Sequence, residues 1–528
     1  MTNPYLYDTT LRDGAQQEGI SLSVGDKLRI TQKLDDLGVS FIEGGWPGSN
    51  PKEVEYFNQV KSLSLRKATV TAFGSTRRPG IQADNDQNLK ALLDSNASVI
   101  TLVGKTWDLH VARILETTLE ENLAMISDSI AYIRGQGRRV FFDAEHFLDG
   151  FKANKAYALQ CVYAAVDGGA EVVVLCDTNG GTLPEEVYEL VAEVKRSTSV
   201  DLGIHTHNDG ELAVANALAA VSAGVVQVQG TINGYGERCG NANLLSLAAN
   251  LKLKLGVSCL DDEELIQLTE VHHFVSEIVN LPTNPAQPFV GISAFGHKGG
   301  LHGSAVAKFE DSYQHIRPAL VGNSTRMLIS EMAGRGNISY RLDQMGLKEI
   351  ISNQKLLDLV NEIKIREGEG YQYEGADASF EILVRRTLDG YKPPFELIDY
   401  MVIVQEKGEP NSLVGEGTPL TQATVKIKVG DEIRHTAAIG NGPVNALDQA
   451  LRKSLLDDYP SLGVVRLVDY KVRVVDQGSG TEAVVRVLVE STDGPNSWQT
   501  VGASPNIIEA SWLALVDSLD YWLLKYSR

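Results

Sequence analysis

The chain has 528 residues, 43% of them hydrophobic and 22% charged, which are the proportions of a globular protein of two or three domains. A formal charge of −20 argues against a nucleic-acid partner, whose recognition needs clustered Lys and Arg. No apolar run reaches membrane-spanning length, "MTNPYLYDTT" has no basic or apolar leader region, and Cys161, Cys176, Cys239 and Cys259 are widely spaced, so a cytoplasmic protein without a membrane partner is expected.

Up to about residue 281, short β-rich runs alternate with helical patterns. Strands are expected near Tyr5–Thr9, Phe41–Glu43, Ala68–Ala72, Val99–Val103, Arg139–Asp143, Val172–Cys176, Asp201–His205 and Val226–Thr231. Amphipathic segments such as "DKLRITQKLDDLG" and "AVANALAAVSAG" lie between them. Eight strand–helix units predict a closed (β/α)8 TIM barrel over 1–281, in an α/β chain. The competing open doubly wound sheet is disfavoured because no G-x-G-x-x-G follows the first strand.

The texture changes at "LPTNPAQPFVG", whose prolines mark a linker. A helical region is expected over 282–370. An α+β domain over 371–528 carries an internal repeat: "FELIDYMVIV" matches "VRLVDYKVRV", and each is followed by further strands, a glycine turn and a helix. A duplicated βββα unit of this kind suits dimerisation, or ligand sensing at the seam between the repeats.

Three motifs carry the chemistry. In "GIHTHND", His205 and His207 fall at period two on a strand and face one side, a ligand pair for a divalent metal. They lie at the C-terminal end of the seventh strand, where such barrels keep their active sites. Asp13 of "LRDG" lies just past the first strand and completes an Asp-His-His set, and Arg12 beside it supplies charge for a substrate oxygen. The set suits manganese, magnesium, zinc or cobalt.

"NGYGERCGN" follows the eighth strand. Its glycines can offer backbone N–H groups to an anion, Asn241 can add an oxygen near the metal, and Glu237 can pair with Arg238. Glu145 and Asp177 with Thr178 end the fifth and sixth strands and are further site candidates. Cys176 and Cys239 are expected to be packing residues. "FGHKGGLHGSA" places His297, Lys298 and His302 among glycines, as a hinge or as a site contribution from outside the barrel.

Together, "LRDGAQ" with Lys27 after it, "HTHND", "GYGERCGN", "GGLHGSA" and the duplicated C-terminal unit resemble the acyl-CoA-dependent 2-oxo-acid condensing enzymes: the 2-isopropylmalate, homocitrate and citramalate synthases. The resemblance spans nearly the whole chain. "AQQEGISLSVGDK", "EGGWPGSNPKE" and "VGKTWDLHV" are most similar to the citramalate branch. It implies an acyltransferase with metal ligands Asp13, His205 and His207, with Asn241 close by. Arg12, Glu145 and Thr178 would bind the 2-oxo acid. Gly234, Gly236, Glu237 and Gly240 would form an acetyl-CoA loop. His302 with Tyr313 would form a general-base element that reaches a partner subunit's barrel, which requires a homodimer or larger homo-oligomer. The implied substrates are pyruvate and acetyl-CoA, with isoleucine as an effector of a branched-chain amino acid pathway. The alternatives are 2-oxoisovalerate or 2-oxoglutarate as the acceptor, a lyase on the same barrel, and a non-catalytic metal-binding regulator.

Overall fold

The structure is a computed structural model that describes residues 3–330, 334–405, 420–475 and 480–526. It divides into two compact units. The first contains the barrel and runs to Phe295, further than the boundary expected at 281, and also takes in His315–Thr325.

Eight parallel strands close the barrel in chain order: β1 (Tyr5–Asp8), β2 (Phe41–Gly45), β3 (Thr69–Ser75), β4 (Val99–Lys105), β5 (Arg139–Glu145), β6 (Val172–Asp177), β7 (Asp201–Thr206) and β8 (Gln227–Gly230), with β8 paired back to β1. Each expected strand is present, most extended by one or two residues toward the mouth. β6 is buried along its whole length because the barrel interior covers one face and helices cover the other, so its sequence VVVLCD is apolar without alternation. The first helix, Val24–Leu37, is started by a reciprocal cap. Ser23 Oγ accepts from the Asp26 N–H, and the Asp26 carboxylate accepts from the Ser23 N–H.

The barrel interior is layered. Phe41 and Phe141 meet edge-to-face at 5.1 Å toward the N-terminal ends of the strands. One step up, the Tyr7 hydroxyl bonds Thr71 (2.8 Å), Thr101 (2.7 Å) and Glu43 (2.9 Å). Period two along β5 carries Phe141, Asp143 and Glu145 through successive layers to the mouth.

In the second unit, β9 (Gly296–His297) pairs with β10 (Arg326–Met327); the helix Gly300–Lys308 lies between them in sequence, and helices Arg335–Gln344, Asn353–Gly368 and Asp377–Arg386 come after. Two antiparallel three-stranded sheets come next. β11 (Glu396–Gln405), β12 (Leu420–Val429) and β13 (Glu432–Gly440) precede the helix Pro443–Leu455. β14 (Arg466–Val474), β15 (Val485–Thr492) and β16 (Ser497–Ser504) precede the helix Ile507–Tyr526. The duplication extends to a defect: the register slips between Leu397 and Asp399 in the first sheet and between Leu467 and Asp469 in the second.

Candidate metal centre and active site

The turn after β1 is pinned by Asp8, which accepts from the Thr10 N–H (3.0 Å) and hydroxyl (2.7 Å). That turn presents Arg12 and Asp13 over the barrel mouth, and β7 delivers His205 with His207 two residues on. His205 Nε2 lies 3.3 Å from Asp13 Oδ2 and 3.2 Å from His207 Nε2. One ligand atom from each of the three lies within 4.8 Å of the others, and all three residues are buried.

Two features fit a cation here. Asn241, which bridges to the His207 backbone, donates its amide nitrogen to Tyr235 O at 3.0 Å and leaves its buried Oδ1 with no partner. Two imidazole nitrogens facing each other at 3.2 Å beside a carboxylate are a donor set that a divalent ion satisfies. The electrostatics agree. Burial alone would raise the Asp13 carboxyl, but Arg12, His205 and His207 outweigh it and hold it well below the usual carboxylate range. Burial, helped by His205, pushes His207 down to about 3, so it is neutral and can ligate. At His205 burial opposes protonation, and the Asp13 hydrogen bond and charge overcome it.

Arg12 is fixed on three sides. Its Nε donates to Glu43 Oε2 at 2.5 Å, an Nη lies 3.5 Å from Asp13, and the guanidinium sits 3.9 Å above the Phe73 ring. A cavity of about 240 Å³ opens beside it. Its polar wall includes Gln16, Asp143, Glu145, Thr178, Glu237 and Arg238, and its apolar wall is Trp46, Phe73, Val103 and Cys176. Thr178 accepts the His146 N–H at 2.9 Å, and Glu145 is paired with Lys105. His146, Glu211 and Arg238, on three loops of this face, hold left-handed backbone conformations with φ between 55° and 60°.

Several expectations need correction. Arg238 pairs chiefly with Asp209 (2.8 and 2.9 Å), because Asp209 extends from the turn opposite it, and Glu237 lies 4.0 Å away. The Gly234, Gly236 and Gly240 N–H groups are bonded to Thr231 O, Gln17 Oε1 and Glu237 O, so these glycines present no free donors to an anion. Gly236 has another use. At φ 155° a Cβ there would lie 2.1 Å from the Asn241 amide, so glycine lets Asn241 pack beside His207. Cys239 is exposed rather than packed. Asp177 is a structural acceptor for Thr182 and Asn216, and Lys27 is buried, donating to Glu53 at 2.7 Å and to Gly44 O at 3.0 Å.

Residues that sequence reasoning passed over are Glu43, Asp143, Gln229, Trp46 and Phe73. The signal for the first three was present: "FIEGG", "FFDAE" and "VQVQG" each set a polar side chain inside a strand that is otherwise buried. In the second unit, His302 is exposed on the helix Gly300–Lys308 and stacks on Tyr313 with ring centroids 4.5 Å apart.

Residues 3–275 match the HMGL-like family model, 289–369 the homocitrate synthase post-HMGL domain-like model, and 374–523 the LeuA allosteric (dimerisation) domain. An (R)-citramalate synthase of Geobacter sulfurreducens is 51% identical, covering 98% of this chain and 97% of that protein. One from Aquifex aeolicus is 50% identical, covering 99% and 98%. A 2-isopropylmalate synthase of Methanocaldococcus jannaschii is 31% identical, covering 99% and 95%.

Proposed function

The chain belongs to the HMGL-like family, in the branch of the (R)-citramalate synthases, and from that premise we propose that it condenses acetyl-CoA with pyruvate and hydrolyses the thioester to give citramalate and free CoA. The observation that carries this is the buried Asp13–His205–His207 set beside an immobilised Arg12. A divalent cation, of manganese, magnesium, zinc or cobalt type, supplies Lewis-acid polarisation of the ketone when bound.

The chain's own residues do the rest. Thr178 donates its hydroxyl to the 2-oxo acid at the polar wall, and Glu145, paired with Lys105, lines the wall beside it. Trp46, Phe73 and Val103, which line the apolar wall, face the methyl group of the acid. His302, ordered by Tyr313, accepts a proton from the acetyl methyl group, and the resulting carbon forms the new C–C bond to the ketone carbon. Negative charge then gathers on the former ketone oxygen, where Arg12 stabilises it without having to move. Water cleaves the thioester, and CoA leaves as the thiol. Glu237 and Arg238, exposed on the β8 loop, border the path of acetyl-CoA.

The homodimer is formed through the C-terminal unit, where β11 and β14 expose Met401, Val404, Val468 and Val474. A cavity of about 510 Å³ at the seam of the repeats has an apolar wall of Val444, Leu456 and Leu462 and polar groups from Asp448, Arg466 and Tyr470. It suits a zwitterion with a branched side chain, and isoleucine is the effector assigned to it. Chiral chromatography of the product tests the central reading: (R)-citramalate is expected, and its absence from a thiol-releasing reaction would overturn the reading.

A further inference from the structure

Behind His205 lies a buried chain that the reaction described above leaves unused. His205 Nδ1 is 2.9 Å from Gln229 Oε1, and Gln229 Nε2 is 3.0 Å from Asp143 Oδ1. Asp143, Gln229 and His205 are 3%, 0% and 5% exposed. We propose that Asp143 and Gln229 are positioning residues that fix which nitrogen of His205 is free to bind the cation. This inference rests on the metal centre read above.

The argument is one of hydrogen-bond polarity. Burial raises the Asp143 carboxyl to about 7; above that range it is an ionised carboxylate, which only accepts. Gln229 must therefore turn its NH2 toward Asp143, which leaves its carbonyl oxygen facing the imidazole. That oxygen accepts only from Nδ1–H. When a cation displaces the proton that His205 Nε2 directs at Asp13, the imidazole that remains keeps its proton on Nδ1 and offers the lone pair of Nε2, the atom that faces Asp13 and His207. Asp143 thus acts two bonds away, by holding Gln229 in one of its two amide orientations. With an amide at 143 instead, Gln229 keeps only the long 3.5 Å contact from its Nε2 to Gln227 Oε1 on this side, so it can turn over, present N–H to Nδ1, and drive the proton onto Nε2, where it blocks the cation.

Calorimetric titration of manganese into the full-length apoprotein at about pH 8, above the raised range of Asp143, tests this, with a thermal midpoint recorded for each variant. Asp143→Asn and Gln229→Leu are expected to weaken manganese binding by about 10- to 100-fold, the usual effect of losing an outer partner of a ligating histidine. The double variant Asp143→Asn/Gln229→Glu restores the polarity: the amide at 143 donates to one oxygen of the new carboxylate, and the other oxygen accepts from His205 Nδ1–H. Its affinity is expected to return to within about 3-fold of the wild type, which a purely structural role for these residues would not produce. Unchanged affinity in Asp143→Asn, or a double variant no better than that single one, would overturn the proposal. If Asp143→Asn does not fold, unchanged affinity in Gln229→Leu would overturn it equally. A wild-type protein that takes up no manganese is a separate failure and would remove the metal centre itself.

Discussion

Arg12 and Glu43 meet at 2.5 Å through Nε and Oε2, while the second Glu43 oxygen accepts from the Tyr7 hydroxyl at 2.9 Å. Glu43 is fully buried, and among the described residues its ion pair is with Arg12, which faces the substrate cavity. Such a pair aims the guanidinium before substrate arrives, and an aimed charge is what lowers the barrier. Glu43→Gln keeps the shape and removes the charge. The expected result is a fall in kcat of about 10²-fold, the lower end of what losing one preorganised donor costs, with KM for pyruvate changed far less. A kcat within twofold of the wild type would show that Arg12 holds its position unaided.

Trp46 sets the depth of the apolar wall. Its indole N–H donates to Asn88 Oδ1 at 2.6 Å, and its ring stands edge-on to Phe73 at 5.7 Å. Trp46→Ala should let the cavity take longer 2-oxo acids. One methylene is worth roughly 1–3 kcal/mol in such a pocket, so kcat/KM for 2-oxobutyrate relative to pyruvate is expected to rise about 10-fold or more. Equal losses on both acids would place the specificity elsewhere.

Asp8 gives the fold a pH dependence of defined sign. Burial, opposed by the Thr10 hydrogen bonds, raises its carboxyl to about 7. Between about pH 4 and 7 the folded chain therefore keeps a proton that the unfolded chain has released, and stability falls as pH rises through that window. Asp143, raised to about 7 by burial and then by Glu43, adds to the same slope. In thermal melts of the apoprotein, Asp8→Asn should flatten the decline between pH 4 and 7. Parallel curves for the two proteins would contradict the assignment.

His302 belongs to the second compact unit, and its proposed barrel belongs to a partner subunit. Two inactive variants, His302→Ala and Asp13→Asn, should regain part of the activity when co-expressed and allowed to form mixed dimers. About a quarter of the wild-type rate is expected for random assortment, since half the dimers are mixed and each has one intact site. No recovery at all would place the base in the same chain as the barrel it serves.

The barrel was legible because each β-rich run ends at a recognisable helix start or glycine, and because His205 and His207 keep the period of a strand into the loop. The C-terminal repeat was legible from two ten-residue stretches, and the matching register slips at Leu397 and Leu467 show how closely the copies agree. What stayed hidden depends on closure. Glu43, Asp143 and Gln229 come from β2, β5 and β8, and only a closed barrel brings Gln229 between Asp143 and His205. The glycine loop misled for a different reason. Gly236 reads as a phosphate cradle in one dimension, while in three it makes space for Asn241.

The most direct test of the whole account is release of free CoA thiol from acetyl-CoA with pyruvate, 2-oxobutyrate, 2-oxoisovalerate and 2-oxoglutarate in parallel, each with manganese and again after chelation. The account predicts release that is fastest with pyruvate, stops on chelation and returns when manganese is restored. Release that is fastest with 2-oxoisovalerate, or undiminished by chelation, would contradict it.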